Sequence, residues 1–142
     1  MLEETHVFTT YVYAYNRYQD RRPLWNEITL LSTMIQNPWF IVGDFNAILD
    51  YSEKMGPPHA SISSREFEVC IEHNNVIEVN LMGAKFTWYI QHYNRIVARK
   101  IDRAFTNDIA QDKWDNISSI TLTVIDSDHH PILVSFSSNC IK

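Results

Sequence analysis

Asp44 and Asn46 flank Phe45 directly after the apolar run "WFIV" and Gly43. Alternate residues of an extended chain share a face, so this carboxylate and amide project together while the phenyl ring turns inward. Such a pair puts a carboxylate and an amide on one surface, and it can equally satisfy the backbone of a turn. A second concentration stands in "VIDSDHHPILVSF", residues 124 to 136, where Asp128, His129 and His130 precede Pro131. Adjacent histidines in an extended segment face opposite sides, so one ion cannot easily take both. His129 beside Asp128, with Asp102 supplied by an earlier segment, suits an imidazole held in one tautomer and kept protonated by a carboxylate. That imidazolium can stabilise charge developing on a phosphate. The ordinary uses compete: Asp128 capping the turn before Pro131, and Asp102 pairing with Arg99 or Arg103 on a solvated strand.

The segment "NRIVARKIDR" gathers Arg95, Arg99, Lys100 and Arg103 around one acid, Asp102. In an unbroken strand over residues 95 to 103, Arg95, Arg99 and Arg103 share parity and line one face, spaced to meet successive phosphates, while Lys100 faces away. An edge strand protected from aggregation by its charges has the same pattern. The chain as a whole carries a formal net charge of -5, which excludes a protein gripping nucleic acid through bulk positive charge. No His-x-x-x-His or Cys-x-x-Cys spacing supports zinc, and His6, His59, His73 and His92 stand singly. Cys70 and Cys140 also lack ligand spacing and are read as free thiols.

The elements that must position these residues follow from periodicity. With 142 residues, 45% hydrophobic and 13% aromatic, one soluble domain is expected. Thr5 to Ala14 reads as a well-buried strand. Asp20 is the expected N-cap of an amphipathic helix carrying Leu24, Ile28, Leu31 and Ile35 and ending at Pro38. "WFIV" reads as a buried strand that delivers "DFN" to a sheet edge. Ser63 with Glu66 fits a capping box for a helix that buries Phe67, Cys70 and Ile71 and ends near Asn74 or Asn75. The segments "VIEVNL", "AKFTWYI", "RIVARKIDRAF", "SSITLTVI" and "PILVSF" read as strands, with a helical turn around "TNDIAQDKW". Together these predict an α/β (α+β) fold. The apolar runs fall far short of the roughly 20 residues of a membrane span, and the acidic start lacks a signal peptide's pattern, so an intracellular protein with no membrane partner is expected.

Taken in order, "WFIVGDFNAIL", "FTW", "KIDRAFTN" and "SDHHPIL" resemble the endonuclease/exonuclease/phosphatase superfamily. More narrowly they resemble the endonuclease domain of plant non-LTR, LINE-type retrotransposons. "VYAYNRYQDRRPLWNEI", the "SEK" loop and "SREFEVCIE" extend the likeness over nearly the whole chain. The resemblance implies a DNase I-like two-sheet sandwich with outer helices and phosphodiester hydrolysis dependent on Mg²⁺ or Mn²⁺. By motif, Asp44 would orient and deprotonate the attacking water, Asn46 would bind the phosphate, and His129 would stabilise the transition state with Asp102 as its partner. Asp128 would sit at or beside the metal, Tyr13 near the scissile phosphate with Asn16 behind it, and Trp88 near the substrate. DNA is the implied partner, and the nucleus the implied location of a working retroelement nuclease.

The family's domain begins with strands carrying an Asn and the metal-binding Glu, upstream of the strand that opens here. Glu3 and Glu4 precede that strand too closely to replace the Glu. Residues 1 to 142 therefore read as the C-terminal majority of a single domain, incomplete at the N-terminus. Such a chain is expected to expose a sheet edge open to a partner chain and to show weak activity or none. The alternatives are a non-catalytic nucleic-acid- or protein-binding remnant of a retroelement, and a phosphatase acting on a phosphorylated lipid or inositol.

Overall fold

The computed structural model describes residues 4–58 and 60–139, so Glu3, His59 and Cys140 lie outside the described residues. Strand β1 (Phe8–Tyr13) leads through a 3-10 turn (Tyr18–Arg21) into helix α1 (Arg22–Met34) and strand β2 (Trp39–Asp44). A second 3-10 turn (Tyr51–Glu53), strand β3 (Lys54–Met55) and helix α2 (Ser61–His73) follow. Next come β4 (Ile77–Glu78), β5 (Leu81–Met82), β6 (Trp88–His92), β7 (Arg95–Arg99) and β8 (Asp102–Thr106). Helix α3 (Asp108–Lys113), β9 (Asn116–Thr121) and β10 (Ile132–Ser137) complete the described chain.

The strands form a four-stranded sheet in the order β1-β2-β8-β4 and two three-stranded sheets, β10-β9-β5 and β3-β7-β6. Strand alternation sorts β2 between two layers. Trp39 and Ile41 join Trp25 and Ile28 of α1 and Phe67 and Cys70 of α2 in one buried cluster. Phe40 turns the other way, its ring 5.0 Å from Phe136 of β10, and Val42 shares that side with Ile132 and Val134. Helices therefore cover one face of the central sheet and the β9–β10 hairpin the other, in the mixed α/β architecture that the element pattern predicts. Phe67 is the hub of the helical side, stacked on Trp25 at 5.0 Å and on Phe45 at 5.3 Å. Burying a ring of this kind stabilises by about 1.5–3 kcal/mol.

Four local expectations fail, each for a tertiary reason. Strand β1 is not well buried. Val12 and Ala14 enter the core, while Tyr11 and Tyr13 are 84% and 89% exposed, because β1 pairs only with β2 among the described residues. Asp20 does not cap α1. It lies in the preceding 3-10 turn, and Pro23 sits in the helix's first turn, where its missing N–H costs nothing. The Ser63 and Glu66 capping box does not form, because α2 starts at Ser61. Ser63 accepts a hydrogen bond from Arg21, and Glu66 accepts from Arg22 at 2.9 Å.

The fourth correction concerns the basic strand. Residues 95 to 103 do not form one strand: β7 and β8 belong to different sheets, with Lys100 and Ile101 crossing between them. The fully buried Thr87 secures the crossing, its hydroxyl accepting from the N–H groups of Ile101 and Asp102, both at 3.0 Å. The break destroys the expected parity of Arg95, Arg99 and Arg103. Arg103 enters the core over the Phe67 ring and pairs with Glu53 and Glu78, so it is unavailable to a phosphate. A buried ion pair stripped of one partner leaves an uncompensated charge, which costs about 3–5 kcal/mol. Arg103→Ala should lower unfolding free energy by that amount in a urea titration, whereas Arg99→Ala should leave it within about 0.5 kcal/mol.

Candidate active site

The register of the central sheet places Tyr13 beside Asp44 and Asp44 beside Asp102, on three adjacent strands. Directly paired positions of neighbouring strands point to the same face. Tyr13, Asp44 and Asp102 therefore form one lateral row at the end of the sheet. Gly43 permits this register. Its φ is +146°, and a Cβ there would collide with the Val12 carbonyl of β1, so no other residue lets β1 approach so closely.

His129 completes the row from the segment between β9 and β10. A single bridge pairs it with Trp88 at the start of β6, and the Tyr89 N–H donates to the Asp128 carbonyl at 3.0 Å. The His129 Nδ1 lies 2.9 Å from Asp102 Oδ2, so the Nδ1–H tautomer leaves Nε2 toward the cleft. His130 faces away and bonds the Leu122 carbonyl at 2.9 Å, as alternation requires. Ligand atoms of Asp44, Asp102 and His129 all lie within 4.8 Å of one another.

Asn46 adopts the left-handed conformation, φ 48°, which asparagine tolerates better than most residues. Its N–H donates to Asp44 Oδ1 at 2.8 Å and its Nδ2 to the Ala14 carbonyl at 2.7 Å. Its own carbonyl accepts from Arg21. The turn and the site readings of Asp44 and Asn46 thus coincide: the turn contacts orient the pair. Phe45 is buried as expected.

Around this centre lies a polar cleft of about 370 Å³ lined by Tyr13, Asn16, Asp44, Asn46, Trp88, Arg99, Ile101, Asp128 and His129. Trp88 Nε1 donates to Asp128 Oδ2 at 2.9 Å, and the Arg99 guanidinium stands 5.9 Å from the Trp88 ring. Asp102 reaches the cleft only through His129, and the other sequence-derived candidates line it with two exceptions. Arg95 sits away from the cleft beside Gly56, Pro57 and Tyr93 on the β6–β7 hairpin, and Arg103 is buried in its ion pairs. Two buried residues bonded to the site's elements escaped the sequence reading: Thr87 in "FTW" and Arg21 in "VYAYNRYQDRRPLW". Both stood inside quoted motifs, next to residues with more obvious chemistry.

Burial raises the Asp44 pKa; the Asn46 N–H and nearby cations oppose this, and the Asp102 charge adds to it. For His129, burial acts downward, but the Asp102 hydrogen bond and the charges of Asp102, Asp44 and Asp128 outweigh it and raise the pKa. Both shifts report excess negative charge in a partly desolvated place. That is the condition a hard divalent cation relieves, and carboxylate oxygens are its preferred donors. The cluster of Asp44, Asp102 and His129, with its carboxylate oxygens, therefore fits a divalent cation.

Among solved structures, the chain is similar to the endonuclease domain of TRAS1, a telomere-specific non-LTR retrotransposon, with TM-score 0.64 and 15% identity over 93% of this chain and 56% of that one. The 3′-5′ exonuclease NExo of Neisseria meningitidis gives TM-score 0.69 and 16% identity over 91% of this chain and 60% of that one. The beta toxin of Staphylococcus aureus gives 0.60 and 19% over 94% and 53%. The chain thus spans between 53% and 60% of the length of these relatives, and the likeness is one of fold. No curated protein sequence matches significantly. The endonuclease/exonuclease/phosphatase family matches residues 3–129, a span that holds the whole row and its imidazole, and this chain belongs to that family.

Proposed function

We propose that this site descends from one that hydrolyses phosphodiester bonds of DNA with a bound divalent cation, the endonuclease of a LINE-type retrotransposon of plants working in the nucleus, and that its own activity is weak or absent because no residue here matches the family's metal-binding Glu. The observation that supports the chemistry is the convergence of Asp44, Asn46 and His129 on one cleft, with Asp102 bound to the imidazole at 2.9 Å. The narrower reading rests on the ordered motifs and on the similarity to the TRAS1 endonuclease domain. In this reading residues 1 to 142 are the greater, C-terminal part of one nuclease domain.

The cation, when bound, offsets phosphate charge and polarises the phosphoryl oxygen. The protein's own groups do the rest. Asp44, whose raised pKa suits proton acceptance, orients a water and takes its proton. The water oxygen forms a bond to phosphorus, the bond to the 3′ oxygen breaks, and solvent protonates that oxygen, leaving a 3′-hydroxyl and a 5′-phosphate. Asn46 donates from its amide to a non-bridging oxygen. The His129 imidazolium, held by Asp102, donates from Nε2 to the oxygens gathering charge. Tyr13 and Trp88 bound the substrate's path, Asn16 stands behind Tyr13, and Arg99 offers a phosphate contact at the mouth.

Asp44→Ala and His129→Ala should each lower plasmid nicking in Mg²⁺ by about 100- to 10,000-fold if the parent nicks. A parent no faster than both variants would defeat the enzyme reading.

The Asp102–His129 pair has its own pH signature. The raised His129 pKa means the pair stabilises the fold fully below the unfolded value of about 6.5 and loses that contribution as pH rises through the folded value. Asp102→Asn should lower the His129 pKa seen by NMR titration and flatten stability over that window. An unshifted His129 titration in this variant would separate the two side chains.

A further inference from the structure

Arg21 is 3% exposed, yet among the described residues no carboxylate lies within ion-pair distance of it. The contrast with Arg103 is direct, since that equally buried arginine pairs with two glutamates. Arg21 instead gives its Nη1 to three peptide carbonyls, those of Tyr15 and Asn16 at 3.3 Å and that of Asn46. Its Nη2 donates to the Ser63 hydroxyl of α2. Burial without a carboxylate partner lowers its pKa, and Asp44 is the first charge that opposes this. A desolvated cation satisfied only by neutral acceptors is a costly way to fill space, and apolar side chains of the same volume do so at less cost.

Its location explains what it supports. The carbonyls belong to the loop after β1, which carries Asn16, and to the turn after β2, which carries Asn46. Asn46 has its N–H bound to Asp44, one amide hydrogen to Ala14 and its carbonyl to Arg21. These contacts leave Oδ1 and the second amide hydrogen without a protein partner among the described residues. The left-handed Asn46 is held by these three contacts, one of them from Arg21.

We propose that Arg21 is a positioning residue, a guanidinium clamp that fixes the loops bearing Asn16 and Asn46 against α2 so that the Asn46 amide meets the phosphate in one orientation. The proposal deepens the hydrolase reading and rests on it for its kinetic consequence, but the structural half stands on Asn46 alone. The fork shape matters more than the charge, because one nitrogen must serve two loops while the other reaches Ser63.

The test compares the intact chain with Arg21→Met, Arg21→Lys and Ser63→Ala. Hydrogen exchange of the Asn46 side-chain amide is followed by NMR, with the Asn74 amide as internal reference because it bonds Cys70 and Thr29 away from the site. In Arg21→Met, Asn46 exchange should rise about 10-fold or more while Asn74 stays unchanged, with Arg21→Lys intermediate. Nicking should fall about 100-fold in kcat with KM nearly constant, as expected for a displaced reacting group. Unchanged Asn46 exchange, or an equal rise at Asn74, overturns the clamp. A parent that does not nick removes the hydrolase reading and leaves the exchange comparison to decide the clamp. Should Arg21→Met not fold, Arg21→Lys and Ser63→Ala carry the same comparison, and unchanged exchange in both overturns it.

Discussion

The pairing of β2 with β8 is the constraint on which the site depends. Asp44 and Asp102 oppose each other at the last rung of that ladder, and a slip of one residue would turn one of them to the opposite face. Two features hold the register. Gly43 lets β1 pack against β2 where a side chain would strike the Val12 carbonyl. Beyond the ladder, the Phe45 N–H donates to the Ile101 carbonyl at 2.9 Å, while Thr87 binds the next two N–H groups. The two carboxylates are therefore fixed by backbone geometry. Burial raises Asp44 first, and the charge of Asp102 held beside it adds to the rise.

Much of this was legible in the sequence because the site residues sit at strand ends, where type and parity carry meaning. "GDFN" announced a strand end, a buried Phe45 and two polar neighbours, and all three are in place. "SDHH" announced one inward and one outward histidine, which the bonds to Asp102 and Leu122 display. The failures share a cause as well. "RIVARKIDRAF" has an unbroken strand composition, and nothing local reveals that Thr87, from a different segment, captures its middle and splits it between sheets. The carboxylates that bury Arg103 come from Glu53 and Glu78, remote in sequence. The exposure of Tyr11 and Tyr13 is set by what stands beside β1, which a strand's own composition does not record. Long-range partners decide each of these cases, whereas local patterning decides the others.

The two buried arginines show how one residue type serves two ends. Arg103 joins β8 to the 3-10 turn and to β4 through glutamates, and burial, which alone would raise Glu53, is overcome by the Arg103 hydrogen bond and charge, leaving that carboxyl below its usual range. With Lys100 3.0 Å from Glu78, the network pairs two cations with two carboxylates. Arg21 has no such partner at ion-pair distance among the described residues, and its charge acts on Asp44. A cation left uncompensated beside a carboxylate row is a different object from a structural ion pair, even when both are equally hidden from water.

Charge balance then sets the order in which ligands can be received. Asp44, Asp102 and Asp128 face one imidazolium and the nearby guanidinium groups of Arg21 and Arg99, in a chain whose formal net charge is -5. A phosphodiester brings a further negative charge, and in a partly desolvated cleft its repulsion by the carboxylates exceeds what it would be in water. Arg99 at the mouth can attract a phosphate without neutralising the row behind it. A divalent cation held there would reverse that local sign, so in the proposed reaction affinity for an anionic backbone and capacity to cleave it would rest on the same event. Under the proposed reading an acidic chain needs no basic surface to meet nucleic acid, provided the cluster that repels phosphate is also the one that collects the cation.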